Sequence, residues 1–235
     1  MTSSDPQGPK GRAFAHVDTW VFDLDNTLYP SSCNLFAQIE QRMGAFIAER
    51  LGLSPEDAHA LRRRFYHEHG TTLSGLMKVH HIAPADFLDF VHDIDLTPVD
   101  PNHALDASLA ALPGRKVIFT NGSARHAENI IEKVGIAHHF EAIFDIAAAN
   151  YVPKPARETY DALIAATGCK PSRAVMFDDI SRNLVVARDL GMTTVWIRTD
   201  EDWSSGGAVT HAHVDHIAED LTGFLNDIVT QNFKG

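Results

Sequence analysis

Short apolar runs alternate with amphipathic segments through the second half of the chain. "KVIFT" (116–120) is followed by a helical pattern over Ser123–Val134 that Gly135 stops. "EAIFDI" (141–146) reads as a strand, Arg157–Thr167 as a helix ended by Gly168, and "RAVMFDD" (173–179) as a strand closing on acids. Arg182–Leu190, "TTVWIR" (193–198), "HVDHIA" (213–218) and an amphipathic helix over Asp220–Val229 complete the series. One more apolar run, Trp20–Phe22, stands near the start. Strands and helices alternating over short connections predict an α/β fold: a Rossmann-like, mostly parallel sheet with helices on both faces. Such sheets take their ligands beyond the carboxyl ends of the strands.

Residues 31–112 break the alternation. Phe36, Ile39, Met43, Ile47 and Leu51 recur at helical spacing before Gly52. "SPED" (54–57) is a helix start, with Ser54 as N-cap and Pro55 in the first turn, and Gly70 ends that helix. Pro84–His92 and Asn102–Leu112 read as further helices. The organisation expected is a flexible tail over 1–15, a core from 16–30 and 113–235, and an all-helical cap over 31–112, inserted after the first strand.

Composition narrows the classes. No run of 18 apolar residues offers a membrane span, and "MTSSDPQGPKGR" has no secretory h-region. Cys33 and Cys169 are the only cysteines, which fits reduced thiols and a cytoplasmic location. The formal charge of 20 − 31 = −11 argues against a nucleic acid polymer as partner. A small anion at a locally positive or metal-holding site remains compatible with it.

Candidate chemistry gathers at predicted strand ends. Asp23 and Asp25 close the first apolar run, and buried carboxylates need a cation or hydrogen bonds. Taken alone, they read equally well as solvated acids at a strand end. "TNG" (120–122) puts a hydroxyl and backbone N–H groups just before a helix N-terminus, which suits an anion. Lys154 lies between two prolines, in a segment too constrained to be helical. Asp178 and Asp179 add two acids. Meeting at one sheet edge, these residues would form an acidic Mg²⁺ site beside an anion cradle, because Mg²⁺ needs few protein carboxylates. "HAHVDH" (211–216) resembles a metal cluster. In a strand, however, its period of two would put His211 and His213 on one face and His216 on the other.

The set "DLDNTL", "TNG", "VPKP" and "FDDISRNL", in that order, resembles the four motifs of the haloacid dehalogenase superfamily in its phosphatase branch. "DNTLYP", "HGTTLSGLM" (69–77) and "LPGRKVIFTNGSARHA" (112–127) are similar to its pyrimidine 5′-nucleotidase-like members. The resemblance implies a Mg²⁺-dependent phosphomonoester hydrolase with Asp23 as nucleophile and Asp25 as general acid, then base. Asp23, the Asp25 carbonyl and Asp178 would hold Mg²⁺. Asp179 would act directly, through a water, or by orienting Lys154. Thr120, Asn121 and Lys154 would hold the phosphoryl group. His67, Thr71 and Thr72 are the candidate cap contacts to substrate, with Tyr29 on the hinge side. The expected substrate is a small phosphorylated metabolite, a pyrimidine nucleotide such as UMP or CMP, handled by a monomer or homodimer. A sugar phosphate or phosphoglycolate phosphatase, or a scaffold with a vestigial site, are the alternatives.

Overall fold

A computed structural model describes residues 14–199 and 212–233. Six parallel strands form one sheet: β1 (Thr19–Phe22), β2 (Arg115–Phe119), β3 (Ala142–Phe144), β4 (Ala174–Asp178), β5 (Thr193–Ile197) and β6 (His216–Ala218). Their order is β3-β2-β1-β4-β5-β6. The chain therefore leaves β1 in one direction for β2 and β3 and returns on its other side for β4. That reversal opens a crevice at the carboxyl ends of β1 and β4.

Both faces of the sheet are covered, and the strand period sorts the side chains. In register, Phe22 lies between Ile118 and Phe177, and Val21 between Val117 and Met176. The first trio joins an apolar cluster with α6 (Ala124–Val134) and α9 (Leu221–Asn232). The second joins the cluster of α7 (Arg157–Thr167) and α8 (Asn183–Leu190). Phe22 and Phe177 stack at 4.7 Å. Burying the side chains of one such pair contributes about 3–6 kcal/mol, so the central strands are strongly held.

Between β1 and β2 run α1 (Leu35–Leu51), α2 (Pro55–His69), α3 (Thr72–His80), α4 (Pro84–Val91) and α5 (His103–Ala111). The first four share a separate apolar cluster built on Ile39, Phe46, Phe65, Leu76 and Phe87. Ser54 Oγ caps α2 by accepting from Asp57 N, as the sequence predicts. Three expectations are corrected. α3 appears where no helix is predicted. α5 packs on α9, with Leu105, Leu109 and Leu112 in the sheet's own cluster, so the last helix of 31–112 belongs to the core side. Phe14, placed in the tail over 1–15, is fully buried against Trp20 and Phe224, because its ring closes the end of that apolar layer; residues 1–13 lie outside the described residues.

Candidate active site

Asp23 follows β1 directly, and its backbone N–H donates to Phe177 O (2.9 Å), so the β1–β4 ladder carries it to the crevice. Asp178 is the last residue of β4 and is buried; Asp179 follows it, half-buried. One carboxylate oxygen from each of Asp23, Asp178 and Asp179 lies within 4.8 Å of the others.

Lys154 reaches the same point from the loop before α7. Its side chain is only 1% exposed, and Nζ donates to Phe119 O (2.8 Å) and Asp178 Oδ2 (2.8 Å) and pairs with Asp23 Oδ1 (2.9 Å). An ammonium has three protons, and each finds an oxygen. Burial opposes the charge of Lys154, but Asp178 and Asp23 outweigh it and raise its pKa. Asn121 fixes the lysine's backbone: its Oδ1 accepts from Lys154 N (2.8 Å) and its Nδ2 donates to Lys154 O (3.3 Å). Thr120 is buried, and its Oγ1 accepts from Gly122 N (2.9 Å), which leaves its hydroxyl proton to donate.

The two terminal acids of β4 differ. Asp178 accepts from Ile180 N, Lys154 Nζ and both ways from Asn183 Nδ2, so both its oxygens are occupied. Among the described residues, the Asp179 carboxylate accepts only from Asn26 Nδ2, at 3.4 Å. It is thus Asp178, not Asp179, that orients Lys154. Burial, followed by the charges of Asp23 and Asp178, holds Asp179 well above the usual carboxylate range. Burial also pushes Asp23 up to about 7; Lys154 pulls it down, and Asp178 adds to the rise.

Asp25 has a different setting, and most of it is not evident in the sequence. Its Oδ1 accepts from Tyr29 OH (2.7 Å) and from His126 Nε2 (2.9 Å). His126 lies in the first turn of α6 and is buried. His92, at the end of α4, stacks on His126 at 4.2 Å between ring centroids and 9° between planes. His92 Nδ1 pairs with Ser123 Oγ (2.9 Å). Burial, then neighbouring His126, lowers the pKa of His92 to about 3, so it is a neutral ring. Burial raises the Asp25 carboxyl, but His126 and the Tyr29 hydrogen bond outweigh it and leave it below the usual range. A sequence signal existed: Tyr29 is four residues after Asp25, and His126 follows the Ser123 N-cap by three.

The predicted cap contacts are spread out. Thr71 caps α3 by accepting from Ser74 N, Thr72 is buried and donates to Arg62 O (3.4 Å), and His67 is exposed. Besides His92, the insertion meets the core at the α2–α3 corner. Arg182 lies over the Tyr66 ring at 4.7 Å and reaches Gly70 O at 3.5 Å. In the "HAHVDH" run, His213 Nε2 pairs with Ser181 and His216 packs on Phe14. The two go separate ways, and His211 lies outside the described residues.

Residues 17–191 match a family profile described as a haloacid dehalogenase-like hydrolase. The chain belongs to this family of hydrolases. It is 26% identical over 92% of its length to "Phosphate metabolism protein 8" of Saccharomyces cerevisiae, and spans 66% of that protein. It is 24% identical over 83% of its length to the "Glyceraldehyde 3-phosphate phosphatase" of Methanothermobacter thermautotrophicus, covering 88% of it. Among solved structures it resembles a HAD phosphatase from Thermococcus onnurineus, with a TM-score of 0.61 and 18% identity over 93% of this chain and 100% of that one. That likeness is one of fold. In this hydrolase three acids cluster beside one ammonium that pairs with two of them, so burial and mutual repulsion leave the cluster one cation short when all three are ionised. Its uncommitted donors are all oxygens, a set that fits a hard divalent cation such as Mg²⁺.

Proposed function

We propose that this hydrolase is a Mg²⁺-dependent phosphomonoester hydrolase working through an aspartyl-phosphate on Asp23. The observation that carries the reading is the cluster of Asp23, Asp178 and Asp179 at the sheet's switch point, with the buried Lys154 ammonium paired to the first two. Asp23, the Asp25 carbonyl, Asp178 and Asp179 would hold Mg²⁺, with Asp179 the least committed to protein hydrogen bonds. The bound ion screens the phosphate's charge from the nucleophile. Lys154 occupies Asp23 Oδ1 and so sets the carboxylate's rotamer. Asp23 attacks phosphorus as the ester P–O bond breaks; Asp25, ionised in the free site, takes up a proton with the bound ester and gives it to the departing alkoxide. Asp25 then takes a proton from water, which attacks the acyl phosphate and frees Asp23 and inorganic phosphate. Thr120 donates to a phosphoryl oxygen, and Lys154, whose three protons are already placed, holds the phosphoryl group through its charge. Asn121 serves by holding the Lys154 main chain.

For substrate, the reading extends to pyrimidine nucleoside 5′-monophosphates, on the resemblance of "DNTLYP", "HGTTLSGLM" and "LPGRKVIFTNGSARHA". A sugar phosphate is the competing reading. It is favoured by the archaeal relative's name and by Thr71 and Thr72 being engaged within the cap. The two free cysteines support a cytoplasmic setting.

Phosphate release from UMP, CMP, AMP, glyceraldehyde 3-phosphate and phosphoglycolate, with Mg²⁺ and with excess chelator, tests the proposal. Hydrolysis that the chelator abolishes and Mg²⁺ restores is expected. A preference for UMP and CMP over AMP selects the nucleotide reading, because a purine clashes or leaves cap groups unpaired. Release of phosphate from none of the esters, or full activity in chelator, overturns the proposal.

Asp25→Ala tests the acid. For an alkyl phosphate, kcat/KM is expected to fall on the order of 10²–10⁴-fold, the range for general acid–base groups. The fall should be far smaller for 4-nitrophenyl phosphate, whose leaving group needs little protonation. Equal losses on the two esters would leave Asp25 a structural role only.

A further inference from the structure

The carboxylate of Asp25 is held asymmetrically. Oδ1 takes both hydrogen bonds, from Tyr29 OH and His126 Nε2, and among the described residues no hydrogen bond reaches Oδ2. A carboxylate oxygen accepts, so Nε2 of His126 carries the proton of that bond. The side chain of Asp25 is 17% exposed while that of His126 is 1% exposed, so the carboxyl faces the crevice and the imidazole stands behind it. His126 is itself confined. His92 stacks flat on its ring, and Ser123 both caps the helix that carries His126 and pairs with His92 Nδ1. Gly122 lies beside both rings: a Cβ there would come to 3.2 Å from Thr120 Oγ1 and into ordinary contact with His126 Cδ2 (3.4 Å) and His92 Cε1 (3.7 Å). Four segments thus meet around the His126–Asp25 pair: the loop after β1, the end of α4, the TNG loop and the first turn of α6.

We propose that His126, braced by His92 and assisted by Tyr29, is the positioning residue of Asp25: it pins Oδ1 so that Oδ2 alone faces the leaving group. This rests on the phosphohydrolase reading above. With Oδ1 engaged by two donors, the proton that Asp25 delivers sits on Oδ2. Rotation of the carboxyl, which would carry that proton away from the ester oxygen, is blocked. Because His92 belongs to the inserted helices, the same stack ties the aim of the acid to the seating of the insertion on the sheet. Misplacing a reacting group by about 1 Å costs on the order of 10²-fold, which sets the scale of the effect.

His126→Phe keeps a flat ring against His92 and removes the donor; His126→Gln keeps a donor near the position of Nε2. The readout is kcat/KM for the best alkyl phosphate of the substrate panel against that for 4-nitrophenyl phosphate. In His126→Phe the alkyl ester is expected to lose about 10- to 100-fold and the aryl ester far less, with the Gln variant recovering most of the loss. A residue that merely supports the fold would lower both esters together. Equal losses on the two esters, or no loss, overturn the proposal. Tyr29→Phe removes the second donor with little change in volume and decides the matter if His126→Phe does not fold: a selective loss on the alkyl ester supports the proposal, and none overturns it. Asp25→Ala on the same pair separates the levels. If it discriminates between the esters and neither His126→Phe nor Tyr29→Phe does, only the positioning role fails; if it does not discriminate, the acid reading beneath it fails first.

Discussion

Asp23→Asn is expected to reduce turnover by about 10⁴-fold or more, the scale at which loss of a covalent nucleophile acts. The substitution is nearly isosteric and takes away the attacking oxygen and one charge from the cluster. The fold should survive it. Lys154 retains Asp178 Oδ2 and Phe119 O as partners, and the neutral amide relieves repulsion among carboxylates that burial already disfavours. In chelator the variant should therefore melt at or above the wild-type temperature. Phosphate release and thermal melting on the same preparation check both halves. Turnover within tenfold of wild type would remove Asp23 from the covalent step, and a collapsed melt would show that the carboxylate is structural.

Lys154→Met is expected to damage both stability and chemistry, which distinguishes it from Asp23→Asn. The ammonium is the only cation bonded directly to Asp23 and Asp178 among the described residues. Deleting it leaves two buried carboxylates and the Phe119 carbonyl without their donor. Breaking a buried pair in this way costs about 3–5 kcal/mol. For a chain of this size that lowers the melting temperature by roughly 6–20 °C. Turnover should fall about 10²–10³-fold, as when one preorganised electrostatic group is removed. Lys154→Arg should not restore activity, because a planar fork cannot place three donors on the three oxygens that the ammonium reaches. A melt within 2 °C of wild type would show that the pair contributes little to stability.

The strand-and-helix order outside the insertion, the parallel sheet and the placing of Asp23, Lys154, Asp178 and Asp179 at one edge were legible in the sequence. The reason is local. Each of β1–β4 is a short apolar run closed by its own acid or hydroxyl, and α1, α6, α7 and α8 end on a glycine in the left-handed conformation. A parallel sheet then sends every strand end to the same side, so motifs far apart in the chain meet without further information.

Contacts between segments decided the rest. α3 was not legible because it opens on two threonines and contains Gly75, a poor local pattern for a helix. It forms because it packs on α2: a Cβ at Gly75 would come within 2.3 Å of Phe65 Cγ, so the missing side chain is what allows the close approach. α5 looked like part of the insertion because an apolar stripe does not say which cluster will cover it. The division of labour between Asp178 and Asp179 could not be read either, since adjacent acids are equivalent in a string. Asn183, one turn on, and Lys154, from another loop, occupy the first and leave the second. The setting of Asp25 is the strongest case. His92 and His126 lie tens of residues from each other and from Asp25 and Tyr29, and nothing in that spacing brings the two rings to the carboxylate. Their meeting depends on how the inserted helices seat against the sheet, and that is settled by packing across the whole molecule.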